Sequence, residues 1–535
     1  MRDRYDYIIV GAGSSGCVLA NRLSEDPQTT VLLVESGPDD TSPLVHMPRG
    51  IGKLLAPGNP HVWDYQVSPG GNRPPEVWLK GRAVGGSSSI NGMVYVRGAP
   101  LDYDHWASLG CTGWGWDEIG RRFVELEDHP LGAGEWRGVG GPLKITMHPT
   151  GNPLCEAVLA AGEEIGVPRS ADMNDVDTVR DGGFSYQPTT TFKGKRFSAA
   201  RAFLTPVRGR ANLDVLPDTD ALKVEITDRR ATGVTIRNKA GTRSVGAERE
   251  VILSAGAIQS PKLLQLSGIG PGALLQAHGI EVVADRPGVG RNLREHRYLS
   301  TQYRVKGGSL NMSFQGLGLF RSALQYLLRS TGPLTHSAHE VGGFVKTRPG
   351  LDHADAQIGM GLYSMSAGPK GIAVDRFPGL TILGYFTRPE SQGELRIQSP
   401  DPLAAPFIDA NHFAAEIDRI SAVSLFRFLR RLGSAPSLAR WIVEETVPGK
   451  RIETDEDILA NAVGLGGTSF HICGTAKMGR DDDPDAVLDP QLRVRGVAGL
   501  RVVDTSIMPT IVSGNTNAPA MAIALRAADF IRYGR

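Results

Sequence analysis

Only four cysteines occur in 535 residues, Cys17, Cys111, Cys155 and Cys473, and no two of them are spaced as C-x-x-C. That scarcity excludes a disulfide framework and a cysteine zinc site, and it suits a reducing compartment. Charge of one sign is also lacking, because 58 Lys and Arg stand against 57 Asp and Glu without a long run of either. A balance of that kind argues against nucleic acid and anionic membranes as partners. No segment approaches the ~20 apolar residues of a membrane-crossing helix, and MRDRYDYIIVGAG passes from charged residues into an apolar run with no signal-peptide core. The expectation is a cytoplasmic protein with no transmembrane segment, and the scattered histidines predict no metal.

Glycine and proline are plentiful. The 66 Gly and 35 Pro make up about a fifth of the chain, below the ~25–30% that marks low-complexity disorder. The length is too great for one core and implies roughly three domain-sized units in a loop-rich globular protein.

The apolar run Tyr5 to Val10, the glycine-rich Gly11 to Gly16 and the helically spaced Cys17 to Leu23 are followed by a second apolar run, Val31 to Val34, which ends in Glu35. This is a β-α-β unit carrying G-x-G-x-x-G at Gly11, Gly13 and Gly16. In that context the first glycine makes the turn, the second admits a pyrophosphate and the third lets helix and strand pack. Glu35 stands where an acid binds ribose hydroxyls, which disfavours a 2′-phosphate and leaves NAD or FAD. The N-terminal position of the motif and a second glycine-rich stretch, Gly81 to Gly98 (GRAVGGSSSINGMVYVRG), favour FAD.

Elsewhere, Ser42 to Pro75 shows little periodicity and predicts a long surface excursion. Arg249 to Ser254 and Leu500 to Asp504 are strand candidates that would complete the first sheet from distant parts of the chain. Thr381 to Thr387 and Glu394 to Ile397 would supply a second sheet, covered by helices at Leu317 to Leu328 and Ile420 to Leu432. His471, in TSFHICGTAKMG, has three local readings: metal ligand, packed core residue or catalytic base.

GRAVGGSSSING and Gly256 to Gly270 (GAIQSPKLLQLSGIG) resemble the two signatures of the glucose-methanol-choline (GMC) oxidoreductases, and the fingerprint, GVGRNLREH and the C-terminal stretch fit that family in order. The resemblance implies an α/β fold in which a Rossmann-like FAD-binding domain is interleaved with an α+β substrate domain built on an antiparallel sheet. The FAD-binding segments would span 1–154, 200–300 and 462–535, and the substrate-domain segments 155–199 and 301–461. It further implies cofactor contacts at Gly11, Gly13, Ser15, Gly16, Glu35, Arg82, Val84, Gly86, Ser87, Asn91, Gly92, Val94, Val224 and Asp504. Ile90 stands where some members carry the histidine that attaches FAD, so the cofactor is expected to be non-covalent. The family's usual Asp-His is Glu295-His296 here.

The same resemblance makes His471 the catalytic histidine and Asn515 its partner, with Phe470 lining the substrate pocket. A histidine can take the O–H proton of an alcohol as hydride leaves carbon for flavin N5, and an amide can orient the alcohol oxygen. The helix predicted from Ala518 would aim its N-terminus at the flavin. Cys473 reads as packing. The expected activity is oxidation of a primary or secondary alcohol to an aldehyde or ketone, with oxygen or another acceptor reoxidising the flavin. Relatives that are hydroxynitrile lyases or fatty-acid photodecarboxylases supply the alternatives, and the latter replace the histidine that is present here.

Overall fold

The computed structural model describes residues 2–71, 73–368, 371–449, 451–464 and 466–534. Arg4–Val10 forms a strand that pairs in parallel with Val31–Val34 on one side and with Gly241–Leu253 on the other. Leu213–Leu216 extends the sheet beyond Val31–Val34. The long strand Gly241–Leu253 serves two neighbours along one edge. Its first half pairs antiparallel with Arg230–Asn238, and its last three residues pair in parallel with Leu500–Val502. Asp220–Thr227 completes a seven-stranded sheet drawn from three distant stretches of chain. The unbroken apolar runs YIIV and VLLV arise because the sheet is covered on both faces.

The second sheet is also seven-stranded, and every pairing in it is antiparallel. Its strands include Arg297–Val305, Gly379–Phe386, Ala356–Gly361, Val341–Val345 and Gly183–Tyr186. The side-chain period of two divides it cleanly. Leu299, Tyr303, Leu380 and Ile382 enter an apolar core with Leu425, Phe426 and Leu429 of the helix Glu416–Ser434 and Leu154 and Val158 of the helix Pro153–Glu164. The alternate residues Tyr298, Ser300, Gln302, Thr381, Leu383 and Tyr385 face a cavity. The fold is therefore α/β with a second, antiparallel unit.

Three local expectations change. The helix at Leu317 to Leu328 forms as Gly316–Arg329 but does not cover the sheet, and only Ser322 and Tyr326 along it are buried. One face of the sheet is already taken by two helices and the other by the cavity, so no face remains for it. Glu394–Arg396 pairs with Phe407–Asp409 in a separate ribbon instead of joining the second sheet. The excursion from Ser42 contains short helices and a hairpin, Val62–Val67 with Glu76–Gly81, whose alternation is obscured by the Pro, Gly and Asn around it.

Candidate active site

A cavity of about 920 Å³ lies between the strand ends of the first sheet and the inner face of the second. That is the upper end of the ~300–1,000 Å³ typical of ligand sites, and it sits where open α/β sheets bind ligands.

Gly11 has φ +101°, and a Cβ there would meet the Ser254 carbonyl at 2.5 Å; a Cβ on Gly16 would meet the Gly11 carbonyl at 1.9 Å. Neither position tolerates a side chain. Gly13 differs, because its nearest neighbour would be 3.7 Å away. It is small toward the cavity, where a phosphate would approach the N-terminus of the helix Ser14–Leu23. The second glycine-rich segment crosses the first: Gly85 N–H donates to Ala12 O at 2.7 Å, and a Cβ on Gly86 would meet Gly13 Cα at 2.7 Å.

Glu35 accepts N–H bonds from Ala12 and Gly37, both at 2.9 Å, while burial pushes its carboxyl up to about 7. Asp504 accepts from Gly256 N–H at 2.9 Å and Ser260 Oγ at 2.6 Å. Arg82 lies over the Trp63 ring at 4.7 Å. In the cavity wall, Arg82 Nε and Ser254 Oγ are buried without a partner among the described residues. Unmatched polar groups beside a glycine cradle are what a bound diphosphate or ribose would satisfy, so the residues present fit FAD.

Gly11, Gly13, Ser15, Glu35, Arg82, Gly86, Ser87, Asn91, Gly92, Val94, Asp504, Phe470, His471 and Asn515 all line the cavity. Gly16, Val84 and Val224 do not. Gly16 and Val84 pack behind the wall, and Val224 N–H is taken by Ser267 Oγ at 2.9 Å. A bulge at Leu222 turns Ala221 and Leu222 to the cavity in its place.

At the His471 end of the cavity, Phe470 holds φ +62°, a left-handed conformation uncommon for a side-chain-bearing residue. Its N–H donates to Thr468 Oγ1 at 2.9 Å and its carbonyl accepts from Lys80 Nζ at 3.0 Å. That kink aims the next residue. His471 N–H donates to Glu295 Oε1 at 2.9 Å, and its ring meets His296 Nδ1 through Nδ1 at 3.0 Å and Asn515 Nδ2 through Nε2 at 2.9 Å. Asn515 Oδ1 accepts from Gln357 Nε2 at 3.1 Å, and Gln357 Oε1 accepts from Tyr385 OH at 2.7 Å.

These contacts determine the tautomers. His296 Nε2 faces the Thr387 carbonyl at 2.9 Å and must donate, which leaves its Nδ1 as an acceptor. His471 then donates from Nδ1, and its Nε2 lone pair accepts from Asn515 Nδ2. Burial, then the neighbouring His296 and Lys80, hold His471 well below its ordinary value, and burial takes His296 to about 4. Both rings are neutral near pH 7. Asn515 precedes the helix Asn517–Tyr533 by two residues, and Thr516, Asn517 and Ala520 of its first turn line the cavity.

The chain matches the GMC oxidoreductase family over residues 5–298 and again over residues 389–524. It is a GMC oxidoreductase. The enzyme is 39% identical to an alcohol dehydrogenase [acceptor] of Pseudomonas putida, covering 98% of this chain and 95% of the relative. It is 38% identical to the mitochondrial choline dehydrogenase of Homo sapiens, covering 99% and 90% of the two chains. Among solved structures it resembles pyridoxine 4-oxidase from Mesorbium loti, with a TM-score of 0.87 at 31% identity and 99% coverage of both chains. The family is one of FAD-dependent oxidoreductases acting on CH–OH groups, and this enzyme shares that activity class.

Sequence reasoning missed four members of the site. His296 and Glu295 lay inside a motif but carried no stated role. Gln357 and Tyr385 sit on buried strands, AQIGMG and GLTILGYF, where a polar side chain among apolar ones was the available signal. Cys473 is buried, and burial raises its thiol, as an inert packing residue requires. Outside the cavity, His148, His336 and Glu340 bring ligand atoms within 4.8 Å of one another, and Glu340 is already paired with Arg49 at 2.9 Å. Among the described residues no helix is long and apolar enough to cross a membrane.

Proposed function

We propose that the enzyme oxidises a neutral alcohol to an aldehyde or ketone, with His471 Nε2 taking the hydroxyl proton. The observation that carries this reading is the relay from Thr387 through His296, which leaves a lone pair on the one His471 nitrogen that faces Asn515 and the cavity. The hydroxyl proton passes to Nε2, the carbinol C–H bond breaks, and the carbonyl π bond forms as the hydride departs. FAD supplies the acceptor for that hydride when bound. Asn515 Nδ2, held by Gln357 and Tyr385, positions the alcohol oxygen.

The cofactor would be held by the two glycine segments, Glu35, Arg82 and Asp504. Ile90, packed in an apolar cluster with Val45, Leu54 and Val62, offers no atom for a covalent link. The N-terminus of Asn517–Tyr533 supplies favourable potential for negative charge at this end of the cavity.

The second sheet's wall supports a neutral substrate. Tyr298, Ser300, Gln302, Ile358 and Leu383, with Tyr363 just past the strand Ala356–Gly361, face the cavity, and no Asp or Glu from this sheet does so among the described residues. A quaternary ammonium would find no counter-ion there.

Anaerobic stopped-flow reduction of the bound flavin with apolar primary and secondary alcohols, and with choline, tests the reading. Bleaching by the neutral alcohols with little by choline is expected. Preferential bleaching by choline would overturn the neutral-substrate assignment, and no bleaching by any alcohol would favour a non-redox reaction of the lyase kind.

A further inference from the structure

The helix Gly316–Arg329 is amphipathic, and its apolar side faces solvent. Leu317, Phe320, Leu324, Leu327 and Leu328 recur at helical spacing along one face and are 78, 67, 48, 75 and 73% exposed. Met312, in the turn before the helix, is 56% exposed. Single exposed apolar residues are ordinary, but a stripe of this length marks an interaction surface.

The surroundings of the stripe specify its occupant. The hairpin formed by Thr191–Phe192 and Lys195–Arg196 abuts the C-terminal end of the helix, where a Cβ on Gly194 would meet the Ser330 carbonyl at 1.9 Å. It adds Phe192, 37% exposed, with Lys193 lying over its ring at 5.3 Å. Arg321, Arg329, Lys193 and Lys195 are exposed, and none has an ion-pair partner among the described residues. The stretches of chain that carry the hairpin and the helix, Gly182 to Leu213 and Arg297 to His339, contain no Asp or Glu. The near-neutral total therefore conceals a local segregation of charge.

We propose that this face docks on an anionic phospholipid surface, the helix lying in the interface with its leucines and Phe320 among the acyl chains and its cations at the headgroups. An amphipathic helix carrying Leu and Phe on one face with unpaired basic residues beside them has the chemistry of an interfacial anchor. A second copy of the chain fits less well. A two-fold pairing of this helix would set arginine against arginine with no carboxylate on the helix to meet them. Docked this way, the enzyme turns one wall of its cavity toward lipid. Phe314, just before the helix, packs on Arg49 at 5.1 Å, and Arg49 lies over the Tyr363 ring of that wall at 4.8 Å.

The test is co-sedimentation of purified, flavin-loaded enzyme with vesicles of phosphatidylcholine alone or mixed with phosphatidylglycerol, at low and high salt. The expected result is a bound fraction that rises about tenfold or more with the anionic lipid and falls as salt screens it. The double variant Leu324→Asp, Leu327→Asp should abolish binding while flavin content and alcohol-dependent flavin reduction stay as in the parent. Arg321→Gln with Arg329→Gln should remove most of the preference for phosphatidylglycerol. The proposal is overturned if the parent enzyme does not sediment with anionic vesicles, or if the Leu324→Asp, Leu327→Asp variant sediments as the parent does. A dimer that this double variant converts to monomer, without vesicle binding by the parent, would assign the face to a second copy instead.

Discussion

The Nδ1 atoms of His296 and His471 lie 3.0 Å apart and share one proton, which belongs to His471 because the Thr387 carbonyl claims the other side of His296. His296 touches no reacting atom in this arrangement. On the proposed reading it is a positioning residue that keeps the proton-accepting lone pair on Nε2.

His296→Ala frees the His471 ring to rotate or change tautomer. Its expected effect is a fall in the rate of flavin reduction of roughly 10–100-fold with KM little changed. This is smaller than the ~10²–10⁴-fold that losing the base itself, as in His471→Ala, should cost. His296→Asn, whose amide oxygen can still accept the Nδ1–H bond, should restore part of the rate. An equal loss in both His296 variants would show that the ring's bulk, not its acceptor, matters.

The pH dependence has a definite sign. As the proposed base, His471 would act unprotonated, and burial holds its folded value well below 6.5. Its share of kcat/KM should therefore stay level across neutral pH and decline only well below pH 6.5, as the ring takes a proton. Asn515→Asp places a carboxylate beside Nε2 and favours the imidazolium. The acid limb should then move up by roughly 1–3 pH units. A parent profile that falls at or above pH 6.5 would count against a buried neutral base.

Gly13 and Gly86 make different predictions despite touching. A Cβ on Gly86, at φ +53°, would strike Gly13 Cα at 2.7 Å, so Gly86→Ala should lower the melting temperature as well as flavin content. Gly13→Ala meets no protein atom closer than 3.7 Å. It should leave the fold intact and weaken FAD binding by about tenfold or more, roughly 1.4 kcal/mol, read as flavin-to-protein ratio after dialysis.

Cys473→Ala should cost about 1 kcal/mol for the small void it leaves, seen as a modest drop in melting temperature, with flavin reduction within about twofold of the parent. The thiol is fully buried, and its residue is held by backbone bonds to Arg294 at 3.0 and 3.1 Å. A large kinetic effect would give it a role that packing does not.

Much of the site could be read along the chain because the chemistry there is local. The strand, glycine turn and helix from Arg4 to Leu23 are consecutive, and Glu35 follows at the end of the next strand. Val224 lies off the cavity because one bulged residue, Leu222, changes which part of a strand meets it, and bulges leave little trace in composition. The helix Gly316–Arg329 was legible as a helix. Its exposure was not, since periodicity shows that an apolar face exists and says nothing of what covers it.

By itself, the sequence determined the nucleotide fold, the glycine cradle and the family to which the chain belongs, because each rests on residues close together in the chain. Only the tertiary structure decided which groups surround His471. Glu295, His296 and Asn515 bond it directly, and Thr387, Gln357 and Tyr385 hold those partners; they meet because the second sheet turns alternate side chains toward the strand ends of the first. The proton on a histidine is assigned by such neighbours, and no spacing along the chain encodes them.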